Sequence, residues 1–341
     1  MEPIGVLSTG VYIPEKKMTS TDIAEQSGLP IEVVEQKMGI KEKPIPGEKD
    51  HTCAMGIFAA EKAIAKVNLN PGKIDLVIYI GEEHKEYPLW TAAIKLQQEI
   101  GAVNAWAFDT ALRCGTTIMA LKVAKDMMTA DNSIKTVLLA GGYRNVDFIN
   151  YQNARTRFMF NLGAGGGAII LQKGHTKNQL LATHMITDGT FSEDVVVPAG
   201  GTKSPLTGKT LDAGLYQLDV MDPSGMKRRL ADKSMVNFIA CIEKALAKSE
   251  LDKKDIDYVA MLHMKRSAHY YVLDQLGLDH DKSIYLEDYG HIGQMDQIIS
   301  LELAEADGKL KNGDVVVLVS AGIGYAWGAN VIIWGKQEEA G

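Results

Sequence analysis

The chain has 341 residues, 46% of them hydrophobic and 23% charged, a composition that fits a globular protein with a large core and excludes a disordered or fibrous one. Its net charge of −7 disfavours attraction to nucleic acid or an anionic membrane, and no basic stripe interleaved with aromatics reads as a nucleic-acid groove. Three widely spaced cysteines, Cys53, Cys114 and Cys241, form no CxxC pair, so neither a disulfide framework nor a metal site is expected.

The first residues lack a charged region followed by an apolar one, and no apolar run approaches the roughly 20 residues of a membrane span. A cytoplasmic address is therefore expected. In chain order, an amphipathic helix over about 54–67 precedes a buried strand over 73–80 and the charge-rich turn Gly81-Glu82-Glu83-His84. Phe108-Asp109-Thr110-Ala111-Leu112-Arg113-Cys114-Gly115 then leads into a helix over 116–128. Ile118, Leu121 and Met128 give that helix an apolar stripe, and Lys122, Lys125 and Asp126 a polar one. A strand over 136–141 follows. The Gly-rich stretch 163–167 lacks the Lys-Ser/Thr of a phosphate loop and is expected to form a tight turn before a strand over 167–171.

After a break near Gly174 and a polar excursion over 198–226, the pattern returns. A helix over 231–248, a strand over 255–262, a helix from 295 to about 307 and strands over 315–322 and 328–333 repeat the earlier order. A period this long points to duplication of a whole domain, with halves 1–173 and 174–341, in an α/β protein.

Cys114 falls where strand turns into helix, beside the unsatisfied N–H groups of the first turn, whose partial positive charge favours thiolate over thiol. Gly115 lets the backbone approach closely, so those N–H groups could also hold an oxyanion. A small buried core cysteine is the competing reading. At the matching place in the second half, Glu287-Asp288-Tyr289-Gly290-His291-Ile292-Gly293-Gln294 opens a helix, and His263 ends the preceding strand, where open α/β sheets place ligands. His51, His175, His184, His269 and His280 receive no role.

These residues resemble the ketoacyl-acyl-carrier-protein synthase III branch of the thiolase superfamily. The likeness runs end to end through Gly10-Val11-Tyr12-Ile13-Pro14-Glu15, Met38-Gly39-Ile40, Ala107-Phe108-Asp109, Leu162-Gly163-Ala164-Gly165-Gly166-Gly167-Ala168 and Ala321-Gly322-Ile323-Gly324-Tyr325-Ala326-Trp327-Gly328-Ala329. The resemblance implies a thiolase fold, a duplicated five-layered αβαβα homodimer without a bound cofactor. Its substrates would be acyl-CoA and malonyl-CoA or a malonyl unit on acyl carrier protein. Cys114 would carry the acyl group, the N–H groups of Cys114 and Gly324 would form the oxyanion hole, and His263 would donate to the second substrate's thioester oxygen.

The chain departs from that branch in several places. His291 stands where asparagine is usual, and Met264-Lys265-Arg266 where Gln-Ala-Asn is usual; Val33 and Lys37 replace the Trp and Arg that often grip the coenzyme A nucleotide. A neutral imidazole at 291 can replace an amide donor if a partner holds its tautomer. Lys37, Arg155, Arg157, Lys265 and Arg266 are candidate contacts for phosphate or carrier protein, or solvated basic residues. Glu82 matches the general acid/base glutamate of hydroxymethylglutaryl-CoA synthases, with Glu83 one step away. Three readings follow: a decarboxylating condensing enzyme, a non-decarboxylating condensation or acyl transfer through Glu82, and a non-catalytic partner subunit.

Overall fold

The computed structural model describes residues 2–336. The first half runs β1 (Ile4–Tyr12), β2 (Lys17–Thr19), α1 (Ser20–Ser27), β3 (Glu42–Pro44), α2 (Thr52–Lys66), β4 (Leu76–Tyr79), α3 (Ala92–Glu99), β5 (Trp106–Asp109), α4 (Thr116–Ala130), β6 (Thr136–Tyr143) and β7 (Gly165–Lys173). The second runs β8 (Lys177–Thr187), β9 (Val195–Val196), α5 (Gly208–Asp212), β10 (Asp219–Val220), α6 (Pro223–Lys248), β11 (Ile256–Met261), α7 (Arg266–Leu276), α8 (Asp296–Ala306), β12 (Val315–Gly322) and β13 (Ala326–Lys336).

Strands β5-β4-β6-β7-β1 and β8-β13-β12-β11 are joined through the pair Gly5–Gln179. In each half a parallel strand (β4 or β11) flanks an antiparallel trio, β6-β7-β1 or β12-β13-β8. Helix α4 touches β6 on one side and β8, β12 and β13 on the other, while α8 touches β1 and β7 as well as β11 and β12. Both helices are thus sandwiched between the two halves of the sheet. Helices α2 and α3 cover the outer face of the first half, and α6 with α7 beside it covers that of the second. The layers read α-β-α-β-α.

A helix enclosed on all sides should carry few free polar groups, and the side-chain donors of α8 and its leading turn find partners, although the amide oxygens of Gln294 and Gln297 have none among the described residues. Gln294 donates to Ile80 O at 2.8 Å, Gln297 to Val319 O at 3.0 Å, and Ser300 Oγ lies 2.8 Å from Tyr258 OH.

Two sequence expectations change. Gly165, Gly166 and Gly167 are not a turn: they lie in β7, paired with Tyr143, Gly142 and Gly141 of β6. The reason is the approach of α2, since a Cβ on Gly166 would meet Met55 O at 2.1 Å and one on Gly142 would meet Thr52 O at 2.0 Å. The glycines let the helix backbone rest directly on the sheet. The polar excursion also ends sooner than 226, because Asp222 caps α6 by accepting from Gly225 N at 2.9 Å and Pro223 opens its first turn. Among the described residues, no helix is long and apolar enough to cross a membrane.

Candidate active site

Helices α4 and α8 begin side by side, and their leading turns carry Cys114 and His291. After β5 the chain reverses through Arg113, at φ 52°, so that Cys114 stands just ahead of α4. Thr116 Oγ1 accepts from Leu112 N at 2.7 Å and donates to Arg113 O at 2.6 Å, fixing that reversal. The second half clamps it from the other side. Ser320 Oγ donates to Cys114 O at 2.6 Å, and Thr117 Oγ1 donates to Gln294 O at 2.7 Å. Cys114 is 9% exposed and faces a cavity of about 720 Å³ that His263, His291, Glu82, Tyr143 and Asn161 also line.

His291 follows Gly290, at φ 62°, and its N–H donates to Asn161 O at 2.8 Å. Its Nε2 lies 3.1 Å from Cys114 Sγ, and its Nδ1 lies 2.6 Å from Asp296 Oδ2. Burial opposes charging of this ring, but the Cys114 sulfur and the Asp296 carboxylate outweigh it and raise the pKa well above the usual imidazole range. Asp296 is fully buried and accepts two further N–H groups, His263 N on Oδ2 and Ile292 N on Oδ1, each at 2.7 Å.

His263 is held differently. Its Nε2 lies 3.1 Å from the carbonyl of Gly39, which can only accept, so the neutral ring carries its proton there. Nδ1 then accepts from Asn161 Nδ2 at 2.9 Å. Burial pulls the pKa of His263 down to about 4, which keeps it uncharged. The donor expected to face a thioester oxygen is committed to Gly39 O in this structure.

Of the adjacent carboxylates, Glu82 is buried and lines the cavity, whereas Glu83 is exposed. Arg113 bridges them, at 3.2 Å from Glu82 and 2.8 Å from Glu83. Burial raises the Glu82 pKa against the opposing pull of Arg113 and Asn145, and among the described residues its Oε1 has no hydrogen-bond partner. Gly324 does not line the cavity, although Ile323 and Tyr325 on either side do; Gly322 packs against Cys114, where a Cβ would meet its backbone N at 3.0 Å.

The basic candidates divide. Lys37, Arg155, Arg157 and Lys265 are exposed residues lining the cavity that holds Cys114, which places them at its mouth, and Val33 joins them there. Arg266 lies apart, paired with Glu287 and 4.4 Å from the ring of Tyr285. Arg155 is engaged by Asp219. His51, His175, His184, His269 and His280 do not line the cavity. Asp296 and Asn161 were missed by sequence reasoning. An acid in the first turn of a helix reads as a dipole partner, and only the enclosure of α8 between the sheets makes it a ligand of both histidine segments.

A duplicated five-layer frame in which a cysteine just ahead of a central helix meets a histidine defines the class of thiolase-fold condensing enzymes. Sequence profiles narrow this: that of 3-oxoacyl-(acyl-carrier-protein) synthase III matches residues 108–189, and that of its C-terminal part matches residues 246–334. The beta-ketoacyl-(acyl-carrier-protein) synthase III of Clostridioides difficile strain 630 is 30% identical over 334 residues, spanning 97% of this chain and 98% of the relative. That of Synechocystis is 27% identical over 331 residues, spanning 96% and 97%.

Solved structures share the fold. The 3-oxoacyl-(acyl-carrier-protein) synthase III of Aquifex aeolicus superposes with a TM-score of 0.82 at 22% identity, over 97% of this chain and 100% of the other. The priming beta-ketosynthase of the R1128 polyketide pathway does so at 0.83 and 18%, over 98% of each chain. The chain belongs to the 3-oxoacyl-(acyl-carrier-protein) synthase III family, and it is a condensing enzyme of the acyltransferase class.

Proposed function

We propose that Cys114 takes an acyl group from a thioester and joins it to a malonyl unit carried on coenzyme A or acyl carrier protein. In the first half-reaction the Cys114 sulfur displaces the thiol of the incoming thioester. In the second, the malonyl thioester loses carbon dioxide and its enolate carbon attacks the acyl carbonyl. The Cys114 sulfur then leaves, and the product is a 3-oxoacyl thioester. His263, uncharged and beside Cys114 in the cavity wall, supplies an N–H to the enolate oxygen once substrate displaces its bond to Gly39 O. The backbone N–H of Cys114 and one from the loop at Gly324 serve the acyl oxyanion.

The observation that carries this reading is the 3.1 Å contact between Cys114 and His291 in a cavity with four basic residues at its mouth. Lys37, Arg157 and Lys265 suit the phosphates of coenzyme A or of a carrier-bound pantetheine. The protein needs no cofactor beyond its thioester substrates. We place it in the cytoplasm as a homodimer built from the duplicated halves 1–173 and 174–341. Support for the dimer comes from β5, an edge strand paired with β4 alone among the described residues, whose surroundings expose Trp106, Val103, Ile94, Leu89 and Tyr87.

Mass spectrometry after incubation with acyl-CoA mixtures tests the first half-reaction. A mass gain mapping to Cys114, absent in Cys114→Ala, is expected. Labelled carbon dioxide released from carboxyl-labelled malonyl thioester tests the second. No acyl adduct on the wild-type chain would overturn the proposal.

A further inference from the structure

Asp296 is enclosed between the two halves of the sheet and has no exposed surface, yet it is the meeting point of the catalytic segments. Its Oδ2 receives His291 Nδ1 at 2.6 Å and His263 N at 2.7 Å, and its Oδ1 receives Ile292 N at 2.7 Å. A carboxylate offers only lone pairs, so the ring nitrogen facing it must carry hydrogen. With Nδ1 protonated, Nε2 is the nitrogen left to take the thiol proton of Cys114, whose Sγ lies 3.1 Å away, and the Asp296 carboxylate that raises the ring's pKa favours that transfer. An amide at position 291 could hydrogen-bond from the equivalent place but could not take up that proton. The histidine here is set to accept.

We propose that Asp296 is a positioning residue that makes His291 the proton acceptor for Cys114 during acyl loading. This rests on the acylation of Cys114 argued above. The thiol proton passes to His291 Nε2, and the sulfur attacks the thioester carbonyl. The resulting imidazolium is stabilised by the Asp296 carboxylate on its other nitrogen. When the tetrahedral adduct collapses, the departing thiolate takes that proton from Nε2, and His291 returns to the neutral form with its Nδ1–H still on Asp296. Every proton is accounted for within the Cys114, His291 and substrate atoms.

Asp296→Asn keeps the size but offers a single accepting oxygen to three N–H donors. Its NH₂ facing His291 reverses the tautomer and turns an N–H toward the sulfur. Two measurements test this. The first is the rate at which acyl-CoA acylates Cys114, followed by quenched mass spectrometry in a double-mutant cycle with His291→Asn. With His291 present, Asp296→Asn is expected to slow acylation roughly a hundred- to a thousand-fold. With His291→Asn already in place, it should cost less than about threefold, because the group it positions is gone. Equal losses in both backgrounds would mean that Asp296 only shapes the backbone of His263 and Ile292, and would overturn the proposal.

The second measurement needs no variant of Asp296 and no substrate. Nitrogen NMR of histidine-labelled wild-type enzyme, with His291→Asn to assign the signal, reads which ring nitrogen carries hydrogen. A protonated Nδ1 is expected. A neutral ring with hydrogen only on Nε2 would refute the positioning role even if the acylation chemistry stands. Absence of acylation with Nδ1 protonated would instead sink the functional reading and leave this geometry intact.

Discussion

Lys43, in β3, has no exposed surface. Its ammonium donates to Tyr151 OH, Phe160 O and Leu162 O, each at 2.7 Å, and no carboxylate pairs with it among the described residues. The two carbonyls bracket Asn161, which accepts from His291 N and donates to His263 Nδ1, so the lysine braces the segment that orients both rings. Burial alone lowers its pKa from 10.5 to about 7. That drop corresponds to about 5 kcal/mol against the charged folded form at low pH, at about 1.4 kcal/mol per unit.

The sign follows from proton counts. Between about pH 7 and the unfolded lysine's 10.5, the unfolded chain holds a proton that the folded chain has released, so stability rises with pH across that window. From about pH 7 to about pH 9 the gain is about 2 kcal/mol, because half the full slope acts at the start and nearly all of it later. Urea denaturation of the wild type and Lys43→Met at the two pH values measures it. Other titrating groups are common to both chains, so the stability difference should move by about 2 kcal/mol in favour of the wild type at the higher pH. A difference that stays constant with pH would refute the assignment of a neutralising buried lysine.

Glu82→Gln keeps the Arg113 contact and should leave carbon dioxide release and product formation within about threefold of wild type, since the decarboxylating route takes no proton from carbon. Retained decarboxylation with lost condensation would instead make Glu82 a base. Lys37→Ala combined with Arg157→Ala should raise KM for a coenzyme A thioester about tenfold with kcat within about twofold, and should weaken the salt dependence of KM. An unchanged KM would remove these residues from substrate contact. Arg155→Ala alone should do less, because Asp219 already engages that guanidinium. Gly166→Ala drives a Cβ to 2.1 Å from Met55 O and should cost about 3 kcal/mol, seen as a clear fall in Tm. Gly189→Ala, with nothing within 4 Å of its Cβ position, is the control and should leave Tm nearly unchanged.

The meeting of Cys114 and His291 was legible because duplication is a sequence signal. Cys114 and His291 precede helices of matching position in the two halves, and those helices, α4 and α8, do begin side by side in the central layer. What stayed hidden depends on enclosure, which local pattern does not encode. An acid at 296 and a lysine at 43 look like solvated charges in a linear reading, and the sandwiching of α8 and the packing of β3 under the 160–162 segment make them internal ligands. The glycines of β7 misled for a related reason: a run of glycine signals a turn when only the chain itself is considered, but here it answers to the α2 backbone crossing above. The same logic separates the two histidines. Both lie at ends of elements in sequence, yet one ring is oriented by a carboxylate and the other by an amide and a carbonyl, so one is built to take a proton and the other to keep one.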